Sequence, residues 1–543
     1  MSSARVVQRF ALFLMAFGGT IQAQAQPKFT FEIAGPEVVI EWLTDSTFRF
    51  CRAWEGLRCD PEDVHGAARA ELRRTESESK IVFTSKYLEV EISKPDLRLR
   101  VLTRDGELLL AETSAVARKG GDVEAVRVAA PGERFYGLGA RESSAADARG
   151  MIIETGRPFL LSSRGYGLHH TSPGNYVFDF TRTGPDEAIV LYRGVPRFEY
   201  WFYYGPSIKA IYEEHLEVAP PRGYAMFDLL RKEALPGRAS LLPAGDVASW
   251  KSLEGAIRGL VHASLSGILN PAFDLGAYAE APLDLYRRAA QFASIVPLIC
   301  DSGSPPLDPR KHAERQKWLV WRQRLIPFLL AYVEETNQRG FPMIHPLAMQ
   351  FPKDEPGGLL TDQFLLGDEI LAAPVYTVDG RRRVYLPMGR WTDLYTNKEH
   401  AGRQTIEIQA EPDVLPLFAR NGSIVPLAGE TAAGPMELHY FPSLAGELFL
   451  YEPEIRAYTQ VHAAPALDIM RLEIEAKAAR SYEWVAHHLP KPNSVTAREK
   501  RYVEVTSRQL LKPGNWYYDE SRRNVHVAVE VERGQTLITH LSF

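Results

Sequence analysis

Two aspartates, Asp246 and Asp274, are the residues of this sequence best suited to chemistry by their type and position. Each stands where an apolar run gives way to a loop, which predicts a place at the C-terminal end of a buried parallel strand. Such strand ends meet at one edge of a sheet, so both carboxyl groups could face one pocket, where carboxyl groups serve as proton donors or nucleophiles. The structural alternative is that each aspartate only satisfies backbone N–H groups at a strand end or helix N-cap.

An amphipathic helix is predicted between the two aspartates. Apolar residues recur there at steps of three and four, which favours a helix that buries one face against a sheet. The recurring residues are Leu253, Ile257, Leu260, Val261 and Leu265. After the helix, the apolar run at residues 267–274 predicts a strand, and Gly276 lets the backbone turn. The unit that positions the aspartates is therefore loop, helix, strand, loop.

Residues 245–278 resemble two barrel strands of glycoside hydrolase family 31, which is largely a family of retaining α-glycosidases. The resemblance rests on Gly245-Asp246, on Ser249-Trp250 and on Asp274-Leu-Gly-Ala-Tyr278. Similar segments extend it over most of the chain, at residues 135–139, 158–167, 204–206, 364–375, 384–387 and 415–426. It implies that Asp246 is the acid/base residue, that Asp274 and Tyr278 line a sugar pocket, and that Arg231 stands where an arginine binds the sugar. Neither the residues nor the resemblance calls for a cofactor or a metal ion.

The middle of the barrel that the resemblance implies is missing. Residues 219–346 number only 128, whereas an eight-stranded α/β barrel takes about 250. Residues 223–230 resemble its first strand, and residues 231–238 already resemble the loop before the acid/base aspartate. The strands that carry the family's nucleophile have no counterpart, and Ser302 stands in place of its substrate-binding histidine.

Retaining glycoside hydrolysis needs two carboxyl groups about 5–5.5 Å apart. Asp246 fits the acid/base role only. Asp228 is the one carboxylate on a strand ahead of the motif that could stand in as nucleophile, since Glu233, Glu280 and Asp301 belong to loops. We therefore expect a family 31-like protein without hydrolytic activity. The alternatives are an α-glycosidase that still works, a non-catalytic carbohydrate-binding or structural relative, and a deletion product of an α-glucosidase gene.

Composition and the N-terminus indicate an exported, soluble protein. The chain has 543 residues, 45% hydrophobic and 24% charged, with a net charge of −5, and no basic stripe indicates nucleic-acid binding. Residues 1–25 place Arg5 and Arg9 before an apolar run that closes on Ala23-Gln24-Ala25, which predicts a signal peptide cleaved near Ala25. We expect a secreted or periplasmic protein with no membrane contact beyond export, and carbohydrate as its partner.

Three cysteines occur, and two of them lie close together. An oxidising compartment would permit Cys51 and Cys59 to form a disulfide, with Cys300 left over as a buried thiol. The alternative is that all three remain thiols. No Cys/His cluster with the spacing of metal ligands accompanies them.

The fold class predicted is multidomain, α/β plus all-β. Short alternating segments bounded by Gly, Pro, Asp and Asn predict β-sandwiches on both sides of the incomplete barrel. The predicted ranges are a signal peptide at 1–25, an N-terminal β-sandwich at 26–218, a truncated (β/α)8 barrel remnant at 219–348, a proximal C-terminal β-sandwich at 349–428 and a distal C-terminal β domain at 429–543. An open parallel sheet of about four strands leaves unpaired edges, so a neighbouring loop or a second chain is expected to cover them.

Overall fold

The computed structural model is mostly β-sheet with few helices. It describes residues 28–32, 37–54, 56–59, 69–181, 187–193, 197–219, 235–236, 248–301, 307–354, 356–431 and 434–543. The predicted signal peptide lies outside these residues. No helix in the described part of the chain combines the length and apolar character that crossing a bilayer takes.

The N-terminal part consists of antiparallel strands. In chain order they are β1 Lys28–Glu32, β2 Glu37–Trp42, β3 Thr47–Ala53, β4 Arg73–Glu76, β5 Lys80–Thr84, β6 Leu88–Ser93, β7 Leu99–Thr103, β8 Leu108–Ala111, β9 Ala117–Lys119, β10 Asp122–Val128, β11 Phe135–Gly137, β12 Ile152–Thr155, β13 Phe159–Ser162, β14 Tyr166–His170, β15 Asn175–Asp179, β16 Glu187–Arg193 and β17 Arg197–Tyr204.

These strands form three sheets, in the orders β1-β2-β3-β17-β14-β13-β11, β12-β15-β16-β10-β9 and β4-β5-β6-β7-β8. Buried and less buried residues alternate along β5 and β10, as expected of strands that turn one face to a core. Side chains from all three sheets share one core, in which the rings of Phe48 and Phe202 stack 5.0 Å apart. This packing agrees with the predicted sandwich. The Cys51–Cys59 disulfide is formed and Cys300 is a buried thiol, which decides between the two alternatives left open for the cysteines.

A small parallel sheet and its helices form the middle of the chain. The elements are α1 Ile208–Val218, β18 Leu235–Pro236, α2 Trp250–Leu265, β19 Ala272–Asp274, a 3-10 turn at Gly276–Tyr278, α3 Leu283–Ala293, β20 Leu298–Asp301 and α4 Pro309–Arg339. The described strands are parallel in the order β18-β20-β19. The expected first strand at residues 223–230 lies outside the described residues. Helix α2 and strand β19 confirm the two elements predicted around Asp274.

Helix α2 departs from the prediction in its burial. A single buried face was expected, but the buried residues surround most of the helix and include His262 and Ser264 as well as Leu260. The reason is that a second layer covers it from the N-terminal part, where the Ser143 carbonyl lies 3.2 Å from His262 Nε2. The expectation of one buried face is therefore wrong.

The C-terminal part is again built of strands, with a short helix α5 at Leu347–Gln350 between the first two of them. They are β21 Ile344–His345, β22 Phe364–Leu366, β23 Ile370–Ala372, β24 Arg381–Leu386, β25 Arg390–Asp393, β26 Glu399–Ala401, β27 Gln404–Gln409, β28 Leu417–Arg420, β29 Ile424–Leu427, β30 Met436–Tyr440, β31 Gly446–Glu452, β32 Ala457–Pro465, β33 Ile469–Glu475, β34 Arg480–Ala486, β35 Ser494–Ala497, β36 Lys500–Arg501, β37 Val503–Glu504, β38 Asn515–Asp519, β39 Asn524–Val531 and β40 Thr536–Ser542. Two 3-10 turns interrupt them, at Gly357–Leu359 and Arg508–Leu510.

The first sheet of this part has the order β21-β22-β23-β28-β25-β26, beside the pair β24-β27. Two six-stranded sheets follow, β29-β30-β34-β39-β38-β37 and β31-β32-β33-β40-β35-β36, and they enclose a core that includes Trp484 and Val527. Strand β29 pairs with β30 and so belongs to these last sheets. The predicted domain ranges stay predictions.

Candidate functional site

The candidate site lies at the carboxyl end of the small parallel sheet. Asp274 is the last residue of β19, and its Cα pairs with that of Cys300 on β20. Its side chain is buried, and Oδ1 accepts a hydrogen bond of 3.0 Å from the Gly276 N–H. The carboxylate therefore has the predicted position at a strand end, and it also stabilises the turn that follows.

Tyr278 follows in that turn and is likewise buried. Its ring lies 5.5 Å from that of Phe273, and its hydroxyl oxygen is 3.1 Å from Ser252 Oγ on helix α2. Burial raises the pKa of Tyr278 to about 12, although the Ser252 hydrogen bond works against this rise. The phenol therefore stays neutral near neutral pH and can both donate and accept a hydrogen bond.

A serine capping box holds the beginning of helix α2. Ser249 Oγ accepts a 3.0 Å hydrogen bond from the Ser252 N–H, and Ser252 Oγ accepts one of 2.8 Å from the Ser249 N–H. Glu or Gln usually occupies the second position of such a box. Sequence reasoning missed Ser252 for that reason, although a serine three residues after the N-cap was a visible signal.

A loop of the N-terminal part lies against helix α2. A Cβ added to Gly255 would lie 2.8 Å from the Glu142 side chain, so this close approach requires the glycine. The charge of Glu142 also acts on Tyr278, in the direction that raises its pKa. Glu142 therefore stands close to the candidate site, which sequence analysis did not predict.

The neighbouring strand end carries an ion pair. Asp301, the last residue of β20, accepts a 2.6 Å hydrogen bond from Arg315 Nη1 of helix α4. The hydroxyl of the buried Tyr286 is near both charges, and burial raises its pKa to about 12. Asp301, one of the carboxylates considered as a replacement nucleophile, is thus already paired with an arginine.

Of the other residues singled out from the sequence, Asp246, Arg231, Asp228, Glu233 and Ser302 lie outside the described residues, whereas Glu280 is described and exposed. The structure brings Asp274 and Tyr278 together, as expected. That the carboxyl groups of Asp246 and Asp274 open on the same side of the sheet stays a prediction. Among the described residues, no group of three or more His, Cys, Asp or Glu side chains could hold a metal ion.

A family model matches the C-terminal part of the chain. Residues 340–425 match the glycosyl hydrolase family 31 C-terminal domain. This range covers β21 to β28, the sheet that follows helix α4. The match thus lies next to the candidate site along the chain, not on it.

Curated relatives match parts of this chain. The chain is 30% identical over 188 residues to alpha-glucosidase 2 of Bacillus thermoamyloliquefaciens. The aligned residues cover 33% of this chain and 24% of that protein. It is 26% identical over 271 residues to an alpha-xylosidase of Saccharolobus solfataricus, covering 45% and 36%. The matches thus span well under half of these relatives.

Two solved structures show the fold alone, because their identity to this chain is low. A family 31 dextranase mutant of Flavobacterium johnsoniae, complexed with isomaltotriose, superposes with a TM-score of 0.83 at 16% identity, covering 96% of this chain and 99% of that one. A family 31 alpha-xylosidase of Xanthomonas citri gives a TM-score of 0.71 at 13% identity, covering 94% and 99%.

Proposed function

We propose that this chain, as a member of glycoside hydrolase family 31, binds α-glycosides but does not hydrolyse them. In this proposal residues 219–348 are the remnant of a truncated barrel. Asp246 keeps the place of the acid/base residue, while Arg231, Asp274 and Tyr278 contact the sugar. The partner is an α-linked carbohydrate, the class to which the isomaltotriose in the dextranase complex belongs.

The observation that carries the proposal is the arrangement at the end of β19. The Asp274 carboxylate is held by the turn at Gly276, and Tyr278 is held by Ser252. Side chains that are fixed by other hydrogen bonds keep their geometry without a ligand, which reduces the entropy lost on binding. This supports a sugar-contacting role for both residues.

The lack of hydrolysis follows from the carboxyl groups that the chain offers. An acid without its nucleophile cannot form the covalent intermediate of the retaining mechanism. Correct placement of reacting groups supplies about 7–11 kcal/mol of barrier reduction, and a partial barrel that admits water forfeits much of it. Asp301 is a poor substitute because Arg315 already binds it. Asp228 remains the one alternative on a predicted strand.

Export and assembly complete the proposal. The N-terminal signal peptide would direct the protein to the periplasm or the exterior, a destination compatible with the Cys51–Cys59 disulfide. A second chain or a loop would cover the open edge of the parallel sheet. If the gene lost the barrel strands recently, sequencing the genomic DNA around codons 229–231 would reveal them nearby.

The test is the release of aryl alcohol from panels of aryl α-glucosides and α-xylosides. We expect the wild type to match Asp246→Asn, at the rate of the buffer alone. Turnover by the wild type that Asp246→Asn abolishes would overturn the proposal. In that event, an equal loss in Asp228→Asn would identify the replacement nucleophile.

A further inference from the structure

A cleft of about 540 Å³ lies between helix α4 and the sheet that contains β29, β34, β38 and β39. We call it the Trp321 cleft, after the tryptophan of α4 that lines it. Neither Asp274 nor Tyr278 lines it, so it is separate from the candidate site. Its volume falls within the range of about 300–1,000 Å³ that small-molecule sites occupy.

Part of the lining of the Trp321 cleft is apolar. Trp321 and Leu394 are partly exposed and pack on the main core of the protein, together with the more deeply buried Leu427. Phe441, which also lines the cleft, is fully buried and stacks on His487, with ring centres 4.3 Å apart. This part of the lining is therefore hydrophobic, and the ring of Trp321 is exposed enough for a ligand to contact it.

The polar part of the lining is a network of paired charges centred on Glu437. Its carboxylate accepts hydrogen bonds of 2.8 Å from Arg324 and 2.9 Å from Arg508, and His439 Nε2 lies 2.8 Å from it. Burial works to raise the pKa of Glu437, but the His439 hydrogen bond and the neighbouring charges lower it to about 2. Arg508 also donates a 2.8 Å hydrogen bond to Glu483. The charges of this network are thus paired within the protein, and the exposed Arg522 also lines the cleft.

A network of matched charges favours an uncharged ligand. An ionic ligand would have to compete with an internal partner, whereas a hydroxyl group can hydrogen bond at the edge of an existing pair. Asn524 adds an unsatisfied hydrogen-bond acceptor to the lining, because its buried Oδ1 accepts no hydrogen bond within the described part of the chain. An unpaired buried acceptor is destabilising, and a hydroxyl donor on a ligand would satisfy it.

We propose that the Trp321 cleft is a second carbohydrate site, which binds an uncharged mono- or disaccharide. A pyranose ring has a face of C–H groups for Trp321 and Leu394 and an edge of hydroxyls for the polar side. Tyr517, which lines the cleft beside His526, adds a second aromatic ring. The ligand class rests on the proposed function, while the location rests on the cleft itself.

The test follows two tryptophans separately in the full-length chain labelled with 5-fluorotryptophan. Trp321 reports on the cleft, and Trp250, the first residue of helix α2, reports on the candidate site. The variants Trp321→Phe and Trp250→Phe assign the two fluorine resonances. Isomaltose and glucose are the probes, and glucuronate is the charged counterpart of glucose. We expect isomaltose to shift the Trp321 resonance saturably, and glucuronate to bind at least tenfold more weakly than glucose.

Two variants test the cleft in different ways: one removes a side chain that lines it, and the other fills it. Tyr517→Ala should raise the dissociation constant reported by Trp321 at least fivefold, and Leu427→Trp, which fills the cleft, should abolish the response. Tyr395→Ala is the matched control, because Tyr395 is exposed and does not line the cleft. A Trp321 resonance that does not move, or one that moves equally in Leu427→Trp, overturns the inference.

The two resonances separate this inference from the proposed function. A shift of Trp250 alone contradicts the second site and leaves the proposed function intact. A shift of Trp321 together with hydrolysis of aryl α-glycosides contradicts the proposed function and supports the second site. Glucuronate binding as tight as that of glucose overturns the uncharged ligand class.

Discussion

The Tyr278 hydroxyl lies 3.1 Å from Ser252 Oγ, so the turn after β19 is joined directly to the first turn of helix α2. The same serine completes the capping box with Ser249. One side chain thus fixes the beginning of the helix and the end of the strand that carries Asp274. The geometry of the candidate site therefore depends on this contact.

Replacing Tyr278 by phenylalanine should destabilise the protein by about 0.5–1.5 kcal/mol, because one buried hydrogen bond is lost and the ring is kept. Urea unfolding measures the change. Tyr395→Phe is the control, since that hydroxyl belongs to an exposed side chain. Equal stability of Tyr278→Phe and the wild type would mean that the contact with Ser252 does not hold the turn.

Removing the cap of helix α2 with Ser249→Ala should cost about 1 kcal/mol, because a helix N–H loses its acceptor. The matched control is Ser507→Ala, as Ser507 precedes a 3-10 turn without capping it through its side chain. Thermal unfolding of both variants provides the comparison. A control that loses as much stability as Ser249→Ala would show that the effect does not come from capping.

The stability of the wild type should fall in acid because of Glu437. Its folded-state pKa of about 2 lies below the ordinary glutamate value. The Glu437 carboxylate therefore stabilises the folded protein at pH values above the ordinary glutamate pKa, and this stabilisation is lost as the pH falls towards 2. Glu437→Gln should be less stable at neutral pH and should lose less stability between pH 5 and pH 3 (about the range of an ordinary carboxyl titration). Parallel pH profiles for the two proteins would contradict this.

Glu369 should give the opposite pH dependence of stability. Burial raises its pKa, the charge of Asp368 raises it further, and the Tyr332 hydroxyl donates a hydrogen bond to it. A raised carboxyl pKa contributes stability that is fully present below the ordinary glutamate value and is lost as pH rises through the raised one. Glu369→Gln should therefore gain stability relative to the wild type in alkaline solution. A stability difference that stays constant with pH would refute the shift.

Local patterns predicted the parts of the structure that depend on neighbouring residues. The spacing of Leu253, Ile257 and Leu260 predicted helix α2, and the apolar run before Asp274 predicted β19. The proximity of Cys51 to Cys59 permitted the disulfide. In each case the information lies within a few residues, so the sequence alone displays it.

Contacts between distant segments could not be predicted in this way. Ser252 and Tyr278 are 26 residues apart, and Arg324 and Glu437 are separated by 113. Neither pair has a spacing that indicates contact, because the packing of whole elements brings the side chains together. The burial of α2 on most of its surface has the same origin, since its second cover comes from the loop at Ser143.

The most direct test of the central claim, binding without hydrolysis, uses isomaltotriose with the full-length chain. One sample is titrated while the Trp250 fluorine resonance is followed, and a second is incubated for a day and assayed for free glucose. We predict a saturable shift of Trp250 that Asp274→Asn weakens at least tenfold, with no glucose above the buffer control. Release of glucose by the wild type but not by Asp246→Asn would contradict the account.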